Sequence, residues 1–381
     1  MSVLGARKVW LKIHLYLGLF AGALLMVLGL TGSVLVFSDE IDRALNPQLA
    51  VRSGVADVAT PDEVVKAVEA RTGRRPHMLE LPRDSQPHYL AFVAEDGGGA
   101  PRALLVGGAE GEVLADRRFG SYFVSFCRRL HTDLLLDDEI GTIVVALLGV
   151  LGLVSVATGL YLWWPRGSAG LLRALAFRLQ RNPRAINYEL HRVSGFYLLI
   201  VLLVVTASGV YLALPGPFAA AVGSFADVTP YPEHLATAVP AEGARALALA
   251  DVAQVVVNRT PGALITGFSV PTRPEDAYAV FYRAPDEPMS DFGRSAVWID
   301  PYTGDVLHAH EYTQGSVADR VFALQILLHN GEVAGEFGAW LVFLAGVVMP
   351  LLYVTGFYLW WVRRRPQRRA AAPRGALVSR G

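Results

Sequence analysis

The chain has a single cysteine, Cys127. That scarcity excludes an intrachain disulfide, a cysteine-based zinc site and the C-x-x-C-H attachment of a covalent haem. Charge is scarce too. Asp, Glu, Lys and Arg make up 18% of the 381 residues, below the roughly 25% usual in soluble domains, while hydrophobic residues reach 53%. No G-x-G-x-x-G or P-loop stands between a strand and a helix, and "GGGAP" at 97–101 falls in a turn. Absent also are acids within the apolar runs and any sign of broken apolar helices, which argues against a permease.

What the chain does have is long apolar runs. Val9–Phe37, Thr142–Trp164, Val193–Leu214 and Gly338–Val362 each meet the roughly 20 residues needed to cross a bilayer. Arg7, Lys8 and Lys12 precede the first run as in a signal peptide. That run is too long for such a peptide and ends without a small-x-small cleavage site, so a retained anchor is expected. Segments 1–12, 165–192 and 363–381 hold 16 of the 34 Lys and Arg but only one acid, Glu189. The positive-inside bias therefore predicts cytoplasmic termini and two domains on the outer side. The short basic loop has no room for a flavin or nicotinamide domain. Electrons, if the protein carries any, must come from a membrane quinol or a separate cytoplasmic donor.

The sequence repeats itself. "VATGLYLWWPR" ends the second run and "YVTGFYLWWVRRR" the fourth, with Thr158, Gly159, Trp163 and Trp164 matching Thr355, Gly356, Trp360 and Trp361. Upstream, Glu139 and Gly141 match Glu336 and Gly338, and in the odd-numbered runs His14, Gly18 and Gly32 match His191, Gly195 and Gly209. The outer segments repeat more faintly. "TPDEVVKAVEARTG", with Thr60 as N-cap, Pro61 and a Gly73 stop, has a looser partner in "LADVAQVVVNRTPG". Strand-like "HYLAFVA" and "AYAVFYR" follow, and "LLVGGAEGEVL" and "VWIDPYTGDVL" read as strand–turn–strand. The expected fold is a membrane α-helical protein: four transmembrane helices as a tandem repeat, with two small outer α+β domains.

Its parts are residues 1–37 (N-terminus and first span), 38–130 (first outer domain) and 131–166 (a His-bearing segment and second span). They continue with 167–190 (inner loop), 191–214 (third span), 215–325 (second outer domain), 326–365 (a His-bearing segment and fourth span) and a basic tail at 366–381.

Four of the nine histidines occupy matched places at the ends of spans: His14 and His191 at the inner starts, His131 and His329 just before the second and fourth spans. Ionisable groups in membrane segments mark function by default. Two facing histidines on helices are what a b-type haem needs as axial ligands, with glycines such as Gly18 and Gly195 giving a flat ring room. From His14 to Phe37 is roughly 35 Å of helix, so the two pairs belong to opposite faces of the membrane. Two stacked haems would form a wire for single electrons. If their helices run straight, His131 and His329 stand roughly 15 Å above the spans, unless "FCRRLHTDLLL" lies along the surface with a shallow outer haem. Lys12 and Arg192 are candidate partners for inner propionates, and Arg128 or Arg129 for outer ones. His77, His88, His234, His308 and His310 fall outside the membrane; "HAH" at 308–310 could present two imidazoles to a metal but lacks a third ligand in sequence.

The paired histidines, the tandem TG-x-Y-x-WW phrase and "IDPYTGDV" resemble the PepSY-associated transmembrane proteins, most nearly the FoxB-type siderophore reductases of Gram-negative bacteria. The likeness runs from about Trp10 to Arg365, departing at Val362, where the first copy has Pro165. It implies an inner-membrane protein with periplasmic PepSY-like domains and two b haems held by His14, His131, His191 and His329. It also implies an enzymatic activity, reduction of a ferric siderophore with release of Fe(II). Alternatives of another class are a membrane-anchored peptide- or protease-binding protein and an accessory subunit of a siderophore permease. The expected surroundings are membrane lipid, with no nucleic acid.

Overall fold

The computed structural model describes residues 3–47, 59–83, 86–95, 97, 99–107, 111–165, 174–178, 182–232, 235–238, 244–288 and 292–364. The basic tail at 366–381, much of the 167–190 loop and His234 lie outside the described residues. The first apolar run forms α1 (Val3–Val36), the second α5 (Asp138–Trp163) and the fourth α12 (Gly335–Arg364). Each is apolar around most of its circumference, as a helix facing lipid must be.

The third run is not one continuous helix. It comprises α6 (Pro183–Tyr197) and α7 (Leu199–Ala213), bent by 63° at Leu198. Among the described residues three helices are thus long and apolar enough to cross a membrane, or four when the bent pair counts as one span. The expectation of unbroken spans is corrected here, and the cause is local. Ser194 and Gly195 adjoin the bend, and the Ser194 hydroxyl donates back to the Leu190 carbonyl, which loosens a helix. Helical hydrogen bonds reach Leu198 from both sides, from Leu198 N to Ser194 O at 3.1 Å and from Leu202 N to Leu198 O at 2.8 Å.

The spans close into a ring: α1 packs on α5 and α12, α5 on α7, and α6 on α12. Between α1 and α12 the backbones come close at Gly29 and Gly346, where Ser33 Oγ donates to the Phe343 carbonyl at 2.8 Å.

From one end of the ring projects a sheet. The first copy contributes α2 (Ser38–Leu45), α3 (Pro61–Thr72) and strands β1 (Met78–Glu80), β2 (Tyr89–Val93), β3 (Arg102–Gly107) and β4 (Glu112–Arg118). The second contributes α8 (Pro215–Gly223), α9 (Leu249–Arg259) and β5 (Leu264–Ser269), β6 (Tyr278–Arg283), β7 (Ser295–Ile299) and β8 (Val306–His310). Thr60 caps α3 in a capping box with Glu63, and Gly73 ends it with φ of 71°.

Two separate outer domains were expected; the halves instead share one antiparallel sheet, in the order β4-β3-β2-β1-β5-β6-β7-β8. At the seam β1 pairs with β5, Leu79 opposite Phe268. With only three residues, β1 cannot stand as an edge without exposing unpaired backbone, and β5 covers it. The core is likewise common: Val64 and Val68 of α3 and Val252 and Val256 of α9 bury one face of the whole sheet. Asp62 of α3 even caps the other copy's helix, accepting from Leu249 N at 2.9 Å.

Short helices lead from the sheet into the following span in each copy. In the first copy α4 (Phe123–Thr132) precedes α5; in the second, α10 (Val317–Ala323), α11 (Gln325–Asn330) and a 3₁₀ turn (Glu332–Ala334) precede α12.

Candidate functional site

The helices α4 and α11 do not continue straight into the spans. After α4 the chain hooks back through Leu134 and Leu135, both with positive φ (54° and 60°), while Asp133 Oδ1 accepts from Leu135 N at 2.7 Å. The hook lies so close to the start of α5 that a Cβ on Gly141 would collide with the Asp133 carbonyl. At the matched position, a Cβ on Gly338 would collide with the Gly331 carbonyl. These folds press α4 against α1 and α11 against α7. His131 and His329 are therefore not held roughly 15 Å above the spans, nor laid on a surface; their rings reach into the helix bundle.

Each histidine meets the same arrangement on a neighbouring span. His14 Nδ1 lies 3.0 Å from the Ser155 carbonyl and 3.1 Å from Thr158 Oγ1. His191 Nδ1 lies 3.0 Å from the Leu352 carbonyl and 3.1 Å from Thr355 Oγ1. His131 Nδ1 is 2.9 Å from the Leu28 carbonyl and 3.2 Å from Thr31 Oγ1. His329 Nδ1 is 2.9 Å from the Val205 carbonyl and 3.2 Å from Ser208 Oγ.

The residue after each hydroxyl is glycine. Cβ atoms at Gly32, Gly209, Gly159 and Gly356 would lie 2.9, 2.9, 3.2 and 3.3 Å from the Cε1 of His131, His329, His14 and His191. A carbonyl, a hydroxyl and a glycine thus form one notch per span, and one imidazole fills each.

The notch fixes the tautomer. A carbonyl oxygen can only accept, so the hydrogen belongs on Nδ1 and the lone pair on Nε2. The hydroxyls spend their own hydrogens on their helices, Thr31 Oγ1 donating to Val27 O at 2.9 Å and Thr158 Oγ1 to Val154 O at 2.8 Å. Nδ1–H bound to a carbonyl is the arrangement by which a histidine is oriented as an Nε2 ligand.

The rings come together in two pairs. His14 and His191 have centroids 6.2 Å apart, and His131 and His329 6.0 Å apart. Two imidazoles on opposite sides of one metal, at about 2.0 Å per bond, span about the same distance. Among the described residues no three of His, Cys, Asp and Glu cluster, so a zinc centre built from three or four protein ligands has no ligand set here. Two imidazoles per site suit a metal whose other ligands come from a macrocycle. The pairs are separated by the stretch of α1 from His14 to Leu28, roughly 21 Å of rise.

A second feature fits a haem with carboxylate arms. The indole Nε1 atoms of Trp163 and Trp360, matched in the repeat, are buried and without a hydrogen-bond partner. They stand five residues past Thr158 and Thr355, beyond the His14–His191 pair on the side away from the sheet. Buried donors in a membrane protein need acceptors. Trp163 is fixed by stacking on Phe196, centroids 3.7 Å apart, while its neighbour Trp164 is exposed. Only the second tryptophan of each pair behaves as an interfacial anchor.

The expected cationic partners are placed differently. Arg192 is committed to Glu189 at 2.6 Å and to the carbonyls of Ala174 and Ala176, so its donors are already engaged away from the inner pair. Lys12 lines a shallow apolar groove on α1 with Tyr16 and Phe20. Arg129 pairs with Asp133 at 3.6 Å in the hook, and Arg128 is exposed near Glu80. Of the outer histidines, His308 Nε2 meets the Pro230 carbonyl at 2.9 Å and His310 packs on Tyr231. No third ligand joins them among the described residues.

Sequence reading found the four histidines but missed the hydroxyls of Thr31 and Ser208 and the inward tryptophans. The signal was present: each of the four spans carries a Ser or Thr followed by Gly. A comparison with curated proteins finds no match. The family model described as the PepSY-associated TM region matches residues 11–363, and the chain belongs to that family.

Proposed function

We propose that this protein is a di-haem b oxidoreductase of the bacterial inner membrane that passes electrons outward to a ferric siderophore and releases Fe(II) in the periplasm. The observation that carries the reading is the two histidine pairs, each ring held at Nδ1 by a carbonyl of a neighbouring span so that Nε2 is the available ligand atom. A bound haem at each pair would supply one-electron chemistry at iron. His14 and His191 would hold the inner one and His131 and His329 the outer. Trp163 and Trp360 would donate to the carboxylate arms on the inner side. The notches keep the imidazoles in one tautomer, and the apolar spans exclude water from both sites.

Each ferric ion reduced takes up one electron, drawn from a membrane quinol or a cytoplasmic reductase. Siderophores hold Fe(III) through hard oxygen donors and Fe(II) far more weakly, so a single electron converts a trap into a release. The bend at Leu198 is the feature that favours a permease. No acid stands in the run Val193–Leu214, however, to coordinate an ion beside it. The test uses right-side-out vesicles with reduced protein. Adding ferric siderophore outside should reoxidise the chromophore and yield Fe(II) captured by a ferrous chelator. Uptake of labelled chelate without reoxidation would contradict the proposal.

A further inference from the structure

On the inner side the two copies repeat more than a histidine and its notch. Arg7 stands seven residues before His14 on α1, and Arg184 seven residues before His191 on α6. The two arginines are themselves matched, by the same offset that relates the histidines. Seven residues are about two helical turns. Each arginine therefore lies on the face of its histidine, roughly 10 Å further from the sheet.

That is also the level of the indoles whose Nε1 atoms lack a partner. Arg7 is half-buried and turned inward: its Nη2 donates to the Leu162 carbonyl of α5 at 2.5 Å, one residue before Trp163. Capping a last-turn carbonyl of α5 uses one of the five N–H donors of a guanidinium. The charge is not neutralised by it. The inner segments hold a single acid, Glu189, which is paired with Arg192 at 2.6 Å. Neither Arg7 nor Arg184 therefore has a further carboxylate of this chain on its own side. In the second copy Arg364 lies over the Trp360 ring at 4.8 Å, as Phe196 lies over Trp163. Each copy thus brings a packed indole N–H and, by register, a guanidinium to one level beside the inner pair.

We propose that Arg7 with Trp163, and Arg184 with Trp360, form two matched anion sites that take the two carboxylate arms of the inner haem, one arm per copy. The tandem repeat supplies binding groups in a pair, and the macrocycle carries its arms in a pair. Guanidinium and indole both donate, and charge-assisted hydrogen bonds to a carboxylate are the stronger kind. The arms then point away from the sheet, and the site selects a dicarboxylate macrocycle over an uncharged one. This assignment rests on the reading of His14 and His191 as a haem site, but it concerns what the haem's edge meets, not what its iron does.

The experiment uses full-length protein from haem-starved cells, titrated with haem or with haem dimethyl ester, whose arms carry no charge. Parallel titration of His191→Ala protein, which keeps the outer pair alone, gives the outer contribution to subtract. At the inner pair, haem should bind at least about tenfold more tightly than the ester. Arg7→Gln and Arg184→Gln should each weaken haem by about tenfold and leave the ester within about twofold of wild type. Arg7→Lys, which keeps the charge, should recover most of the loss. Lys8→Gln, at the exposed position beside Arg7, should change nothing. Unchanged elution and circular dichroism check that the variants fold. Equal binding of haem and ester by the wild type, or arginine variants that weaken both equally, would overturn the assignment while two haems per chain kept the reductase reading. A wild type that takes up no haem would remove the reductase reading and this assignment with it.

Discussion

At the scale of the residue, the working part is an imidazole with one nitrogen spent and one reserved. The carbonyls of Ser155, Leu352, Leu28 and Val205 claim Nδ1, and the glycine beside each hydroxyl lets the ring sit against the helix. The outer notches are the tighter. Gly32→Ala would set a Cβ 2.9 Å from His131 Cε1, a distance real side chains do not keep. The expected outcome is loss of one low-spin haem signal with the other intact, read by low-temperature absorption and electron paramagnetic resonance. Two unchanged signals would show that the notch does not place the ligand. Histidines at matched places were legible because their type is rare in apolar runs. The hydroxyls were not, because Ser and Thr in membrane helices ordinarily satisfy themselves on their own backbone.

Among the elements, the hook between α4 and α5 decides where the outer pair sits. Its counterpart before α12 does the same for His329. Leu134 and Leu135 adopt positive φ, which costs free energy and which no propensity scale assigns to leucine. The Asp133 carboxylate, accepting from Leu135 N, and packing against the start of α5 hold them there, so the sequence showed the helices and the glycines but not the reversal. Gly141→Val should push α4 off α1, since the new side chain meets the Asp133 carbonyl. The outer signal should then be lost or become high-spin, with the inner signal unchanged and the far-ultraviolet circular dichroism within error of wild type. Retention of both signals would mean that α4 is not positioned by this contact. The bend at Leu198 escaped sequence reading for a related reason: the apolar run is uninterrupted, and only Ser194-Gly195 hints at weakness.

For the whole molecule, duplication explains the architecture and fusion explains its rigidity. One sheet and one core join the two outer segments, so they should unfold together. Three of the four strands in each copy were readable from alternation. The seam was not, since three residues of β1 carry too little pattern to announce a partner.

Two groups test the shared fold. Asp62→Ala, which removes the cap on α9, should lower the stability of the outer unit by about 1 kcal/mol, measured by denaturant unfolding. Glu311 accepts from Arg259 at 2.9 and 3.2 Å and from Tyr282 at 3.0 Å, and the Arg259 hydrogen bond holds its carboxyl below the usual range. A carboxylate depressed on folding contributes stability above its unfolded pKa and loses it as pH falls through the folded value. The outer unit should therefore lose thermal stability below about pH 4, and Glu311→Gln should flatten that loss. A profile unchanged by Glu311→Gln would remove this pair from the account.

The central claim is that the histidine pairs hold two non-covalent haems, and a haem count on the purified chain tests it most directly. A pyridine haemochrome assay on protein from haem-replete cells should give about two b haems per chain, extractable into acid acetone as non-covalent attachment requires. His14→Ala or His191→Ala should reduce the count to about one, leaving a haem that external dithionite still reduces. A folded, colourless preparation, or a count that none of the four histidine substitutions alters, would contradict it.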